Sequence, residues 1–328
     1  MSPLVLVFLT LISAAVATWV YVDYRARAAG SRWERIAWWL GTLVALPVFL
    51  PIYLLAARPP GNLIRCPSCG RLTIAHRAVC QHCGEPIAFE PFPETWGLGE
   101  VLGLSLVFIL TLPLIAEAVG ISQAPSLGQL SVFAIAQNLL FIVLTVYVAR
   151  TRYRLPLDRI GLRVDRWHRW LPAGGAIGAA SIPVSLGAER IAVAVVGAVV
   201  GTARAEAMSE QEHLTDVLAG ILQRPLTAAQ TVWIVLLVCV LVPIGEEIFF
   251  RGFVYGTLRR WGVVAGIVLS SLFFGAVHQQ IVHFLPIAIL GVILALLYER
   301  TGSLLPGMVV HAVNNLVAVV GVLYHWNI

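Results

Sequence analysis

The chain has 328 residues, 59% of them hydrophobic and only 12% charged, with a mean hydropathy of +0.86, whereas a soluble globular chain carries about 25% charged residues. Lipid is therefore the main solvent, and because unpaired backbone groups are costly in hydrocarbon, only helices or a closed barrel can span it. The net charge of +5 comes from arginines without a single lysine and gathers in loops, so it encodes topology and argues against nucleic-acid binding.

The apolar runs are continuous rather than alternating, which excludes a barrel and predicts an all-α polytopic membrane protein of about eight transmembrane helices. Candidate spans are residues 3–22, 36–57, 97–119, 130–149, 171–201, 229–245, 262–281, 284–299 and 302–323. Residues 3–22 read as an uncleaved first span, because no basic residue precedes them. The run 171–201 is interrupted by Pro183, Glu189 and Arg190 and is expected to be tilted, kinked or partly interfacial. Between Arg150 and Arg169 lie seven arginines against Asp158 and Asp165, the strongest positive-inside signal in the chain, which places this loop in the cytoplasm. Counting back through two spans puts residues 58–96 in the cytoplasm and residues 23–35 outside. The second placement conflicts with Arg25, Arg27, Arg32 and Arg35, and leaves open a re-entrant segment among the first two runs. Residues 202–228 carry Glu206, Glu210, Glu212 and Asp216 and read as an external, solvated loop.

Between the second and third runs stand Cys66-Pro-Ser-Cys69 and, ten residues later, Cys80-Gln-His-Cys83. Two C-x2-C knuckles at this separation predict a structural zinc site, since each knuckle offers two thiolates and two knuckles complete a tetrahedral shell. Gly70 and Gly84 follow the second thiol of each pair, where the turn needs backbone freedom. His76 and His82 are bystanders, because four cysteines fill the site. A closed four-thiolate shell has no open position for substrate, so the module is structural or recruits a protein partner. Cys239 lies within an apolar run and reads as a small buried hydrophobe.

Ionisable groups inside spans cost about 2.5–3.5 kcal/mol each on insertion scales and need a reason. Three clusters stand out: Glu246-Glu247-x-x-x-Arg251, Phe274-x-x-x-His278 and His311-x-x-x-Asn315. Glu247 and Arg251, four apart, can pair on one helical face, whereas Glu246 points about 100° away and stays available as a base. Asn315, one turn from His311, can orient the imidazole or donate to a developing oxyanion, while Asn314 faces elsewhere. His283 lies on a different face from His278 and is the weaker candidate. Singly, each cluster also fits polar packing between helices. Together they supply a base, its neutralising partner, two imidazoles and an oxyanion donor, an inventory that fits hydrolysis.

These three motifs, in this order and each on its own helix, resemble the CPBP family of CAAX-prenyl endopeptidases and bacteriocin-processing intramembrane proteases. The resemblance covers residues 170–323 within a membrane domain over 93–328; residues 1–60 look like an added membrane anchor and 61–92 like a small cytoplasmic zinc ribbon. It implies an intramembrane endopeptidase acting on a membrane-associated, prenylated or leader-type polypeptide. Glu246 would activate water, Glu247 and Arg251 would order the site, His278 and His311 would hold the water or a catalytic zinc, and Asn315 would stabilise the oxyanion. A catalytically silent scaffold whose ribbon recruits a partner is the alternative. A proton-coupled transporter is disfavoured by the lack of an internal repeat. Arginine without lysine, and the ribbon, point to a bacterial plasma membrane.

Overall fold

The computed structural model describes residues 3–27, 30–61, 63–75, 77–87, 96–121, 125–212, 220–222 and 224–324. Two compact units divide the chain, one comprising Met1–Thr111 with Thr151–Arg154, the other Leu112–Arg150 with Leu155–Ile328.

The first unit opens with α1 (Pro3–Ala26), whose 24 residues reach about 36 Å and can cross a bilayer. The run 36–57 does not form one span. It is broken at Ala45 into α2 (Arg32–Val44) and α3 (Leu46–Ala57), because Pro47 supplies no N–H and its ring clashes with a preceding turn. The two arms fold back on each other: Trp38 packs on Phe49 and Tyr53, with ring centroids 6.1 and 5.7 Å apart. Gly41 makes room, since a Cβ there would overlap the Phe49 ring. Both ends of this hairpin are tied to the C-terminal end of α1. At the entry, Tyr24 Oη donates to Glu34 Oε2 at 2.8 Å. At the exit, Asp23 accepts from Arg58 Nε at 2.8 Å and Tyr53 Oη at 2.6 Å, and Arg27 Nη1 donates to the carbonyls of Pro59 and Gly61. Arms of 13 and 12 residues span about 20 Å, short of the ~30 Å hydrocarbon core. Residues 30–35 and 58–61, which the sequence count put on opposite sides of the membrane, therefore both lie at the C-terminal end of α1. A two-stranded antiparallel ribbon follows, β1 (Leu63–Arg65) paired with β2 (Leu72–Ile74).

The remaining helices are α4 (Leu98–Val119), α5 (Leu127–Arg152), α6 (Trp167–Val200), α7 (Thr202–Glu212), α8 (Ala228–Trp261), α9 (Val263–Val277), α10 (Phe284–Thr301) and α11 (Leu305–Leu323). Among the described residues, α4, α5, α6, α8, α10 and α11 are long and apolar enough to cross a membrane, and α3 and α9 are shorter apolar helices. The protein is thus a polytopic all-α membrane protein with a small strand region.

In the second unit, α6 runs unbroken through Pro172 and Pro183 for 34 residues. It packs closely on α11, because a Cβ on Gly174 or Gly178 would sit 2.8 Å from Val309 or Val313, so small residues one turn apart let the two helices approach. The predicted span 262–281 ends early: α9 has 15 residues, and Gln279 takes a left-handed φ of 56° just beyond it. Residues 202–212 are not a solvated loop but a helix whose last residue is anchored, as described below. Residues 213–219 and 223, with Asp216, lie outside the described residues.

Candidate functional site

The glutamates sit where α8 departs from regular α geometry. Its register widens to π-helix at Leu237–Leu241, returns to α over Val242–Glu247, and widens again at Ile248–Tyr255. Such bulges expose backbone groups and are frequent at functional sites. In the first bulge the Val242 N–H bonds Leu237 O. The next carbonyl, Val238 O, would take the N–H of residue 243, which is proline and has none. Asn315 Nδ2 on α11 supplies the missing donor at 2.8 Å. Asn315 thus bridges α11 to the glutamate helix instead of orienting His311, and its second amide hydrogen remains available to donate.

Glu246, Glu247, Arg251 and His311 are 8%, 1%, 2% and 4% exposed. Glu247 Oε1 accepts from Arg251 Nη1 at 2.8 Å and from His311 Nδ1 at 3.0 Å. A buried pair of this kind is tolerated because each charge meets a partner of opposite sign or a hydrogen bond. The expected Glu247–Arg251 pairing is present. Glu246, however, does not point away from the cluster: its Oε2 lies 3.7 Å from His311 Nε2, with no hydrogen-bond partner among the described residues. Both carboxylates reach one imidazole although they are neighbours about 100° apart on the regular turn Val242–Glu247. Gly307 on α11 leaves room for this arrangement, since a Cβ there would lie 3.1 Å from Glu247 Oε2.

Phe274 on α9 organises the other side. Its ring carries the Arg251 guanidinium 4.2 Å from the centroid and meets His278 and His311 edge-on at 4.8 and 5.9 Å. His278 Nδ1 lies 2.7 Å from Phe274 O. A carbonyl only accepts, so Nδ1 carries the hydrogen and Nε2 keeps its lone pair in the neutral ring. Both imidazoles are thus held through Nδ1, one by Phe274 O and one by Glu247, and both present Nε2. Asn314 faces elsewhere, donating to Ser181 Oγ at 2.9 Å. His283 is engaged by Glu212 and Glu189.

Sequence reading missed Asn138, which is 0% exposed on α5. Its Nδ2 donates to Ala134 O at 2.9 Å, and its Oδ1 lies against the Cα of Gly245, next to Glu246. A lone asparagine in an apolar run, seven residues after Ser131, was the available signal.

The four cysteines form a separate centre. Cys66 Sγ lies 3.7 Å from Cys83 Sγ and Cys69 Sγ 3.8 Å from Cys80 Sγ, with all four sulfurs within 4.8 Å of one another. A tetrahedron of thiolates at about 2.3 Å from zinc has edges of about 3.8 Å. Gly70 and Gly84, at φ of 68° and 77°, return N–H bonds of 2.9 Å to Cys66 O and Cys80 O and close the two knuckles. The backbone N–H of His82 lowers the Cys80 thiol to about 6, while desolvation and the neighbouring thiols push Cys83 up to about 12. The His82 ring bonds Leu72 O at 2.8 Å, away from the sulfurs, and His76 lies outside the described residues. The cluster fits a zinc ribbon. Cys239 is buried at 5% exposure, as an apolar packing residue. Among the described residues these four cysteines are the one group of three or more His, Cys, Asp or Glu close enough to share an ion. Glu246, Glu247, His278 and His311 do not converge in that way.

Residues 228–317 match a family model described as type II CAAX prenyl endopeptidase Rce1-like, a stretch that starts with α8 and contains all three motifs. No curated protein and no solved structure matches the chain.

Proposed function

We propose that the chain, which carries an Rce1-like domain at residues 228–317, is an intramembrane endopeptidase that hydrolyses a peptide bond of a membrane-associated or prenylated polypeptide. The observation that carries this reading is a buried carboxylate pair on one imidazole, with Glu247 held by Arg251 and His311 Nδ1 and with Glu246 Oε2 3.7 Å from His311 Nε2.

Glu246 is the general base. A carboxylate shielded from bulk water takes a proton from a water molecule, whose oxygen attacks the scissile carbonyl. His278 Nε2 accepts the water's other hydrogen and aligns it, and His311 Nε2 shares the proton arriving on Glu246, 3.7 Å away. Glu247 and Arg251 hold His311 in that orientation. The remaining amide hydrogen of Asn315 donates to the oxyanion of the tetrahedral intermediate. Collapse breaks the C–N bond, and Glu246 returns its proton to the leaving amine, leaving a carboxylate and an amine. His278, His311 and the glutamates do not converge on one point, so these residues do not fit a shared metal ion. The ribbon zinc, held by Cys66, Cys69, Cys80 and Cys83, stabilises the fold of the ribbon and offers a surface to a protein partner. A cytoplasmic entry for water is consistent with the Arg150–Arg169 loop on that side.

The test is cleavage of a farnesylated C-terminal peptide reporter by purified protein in detergent. Glu246→Gln is expected to lower kcat by at least about 10²-fold, the scale of a lost general base, without shifting the thermal midpoint. Equal turnover by wild type and Glu246→Gln would remove Glu246 as the base.

A further inference from the structure

We propose that Glu212 is a positioning residue for His278, reaching it from the far end of α7. This rests on the hydrolytic reading of His278 and adds a residue that none of the three motifs contains.

His278 occupies a difficult place in the chain. It is the C-cap of α9, and the next residue, Gln279, is left-handed at φ 56° although it has a side chain, a conformation disfavoured away from glycine. The turn that follows, Gln280 to His283, leads into α10 and presents backbone N–H groups with no intrahelical acceptor. Glu212 collects them. Its Oε1 accepts from Ile281 N at 2.8 Å, and its Oε2 accepts from Val282 N at 2.8 Å and His283 N at 3.0 Å. Its backbone carbonyl accepts from Gln280 Nε2 at 2.7 Å. One residue, 68 to 71 positions away in sequence, therefore accepts three consecutive N–H groups and one side-chain donor of the connection between α9 and α10. The carboxylate also sits at the positive N-terminal end of α10, where negative charge is favoured.

Glu212 is itself backed up. The His283 ring lies between Glu212 Oε2 at 3.3 Å and Glu189 Oε1 at 3.5 Å, and Ser209 Oγ donates to Glu189 Oε1 at 2.6 Å. Residues of α6 and α7 thus converge on the turn from one side. On the other side, His278 has a single pin, from Nδ1 to Phe274 O. That pin fixes the direction of Nε2 only while the end of α9 is fixed. Releasing three N–H groups and a left-handed residue at once would let the last turn of α9 rewind and turn Nε2 out of the direction it now holds. Second-tier partners of reactive imidazoles commonly cost about 10–100-fold when removed, through orientation rather than through contact with substrate.

The experiment uses the full chain in detergent, with Glu212→Ala, Glu212→Gln and wild type compared by reporter kinetics and by ¹⁵N NMR of the histidine side chains. Glu212→Ala is expected to lower kcat by roughly 10–100-fold with KM within about twofold, and to remove the sharp Nδ1–H resonance of His278. Glu212→Gln, which keeps a carbonyl oxygen for two of the three donors, is expected to recover part of both, and it replaces the alanine variant if that one does not fold. An unaltered His278 resonance in Glu212→Ala overturns the proposal, as does an altered resonance with unchanged kcat. Should wild type cleave no reporter, the hydrolytic reading fails by itself. The NMR arm still decides whether Glu212 positions His278.

Discussion

Asn138 Oδ1 rests on Gly245 so closely that any side chain at 245 would occupy the same space. The contact lies directly before Glu246, and it brings α5 against the stretch of α8 between its two π bulges. Gly245→Ala is therefore expected to destabilise the protein by about 1–3 kcal/mol, the range for overpacking a filled interior. Asn138→Ala in the same chain should restore most of the loss. Thermal unfolding in detergent of the two single variants and the double variant measures this coupling, and additive losses would show that the contact is not the cause.

Arg251→Ala leaves the Glu247 carboxylate buried without its counter-charge. A loss of about 3–5 kcal/mol is expected, against a much smaller one when Glu247→Gln is added. The comparison of thermal midpoints checks it.

Removing zinc should affect the ribbon alone. Cys66→Ala together with Cys69→Ala is expected to lower the zinc content by one ion per chain and to abolish ordered ribbon structure, while cleavage of a soluble-tailed reporter falls less than about threefold, because a closed four-thiolate shell has no position open to substrate. Metal analysis with parallel kinetics decides it.

The α2–α3 hairpin predicts topology. Reporter fusions or single cysteines at Gly30 and Gly61 are expected to label from the same side of the membrane, because Arg27 holds the Pro59 and Gly61 carbonyls at the end of α1. Labelling from opposite sides would show that residues 32–57 cross.

Burial raises the Glu212 carboxyl, but the N–H groups of His283, Ile281 and Val282 outweigh it and hold the group below its ordinary value. A depressed carboxyl contributes stability that is present above the unfolded value of roughly 4.3 and is lost as pH falls through the folded value. The difference in thermal midpoint between wild type and Glu212→Gln should accordingly be constant near pH 7 and shrink below about pH 4. His283, 3.3 Å from Glu212, and Glu189, 3.5 Å from the same ring, are the other titratable groups facing it.

Much of this was legible in the residues themselves. Continuous apolar runs with few charges imply helices in lipid, since nothing else satisfies the backbone there. The two knuckles imply a four-thiolate site, because spacing alone places the sulfurs. Glu247 and Arg251 pair as i and i+4 positions should. These inferences are local, and a local pattern is sufficient for each.

Other features depended on distant parts of the chain. The run 36–57 has the length and hydropathy of a span, and only its packing on α1 reveals a hairpin. Glu246 was expected to stand apart from Glu247, but His311 on α11 meets one carboxylate through each ring nitrogen. Asn138 and Glu212 carry no motif, and nothing within a few residues of either hints at Gly245 or at the turn before α10. The sequence by itself determined the solvent, the helical class, the thiolate cluster and the chemical inventory of the site, because these follow from composition and from neighbours one or two turns apart. Only the tertiary structure decided how His311, Asn315 and the turn after His278 are held, because those hydrogen bonds join residues 64 to 77 positions apart, where periodicity carries no information.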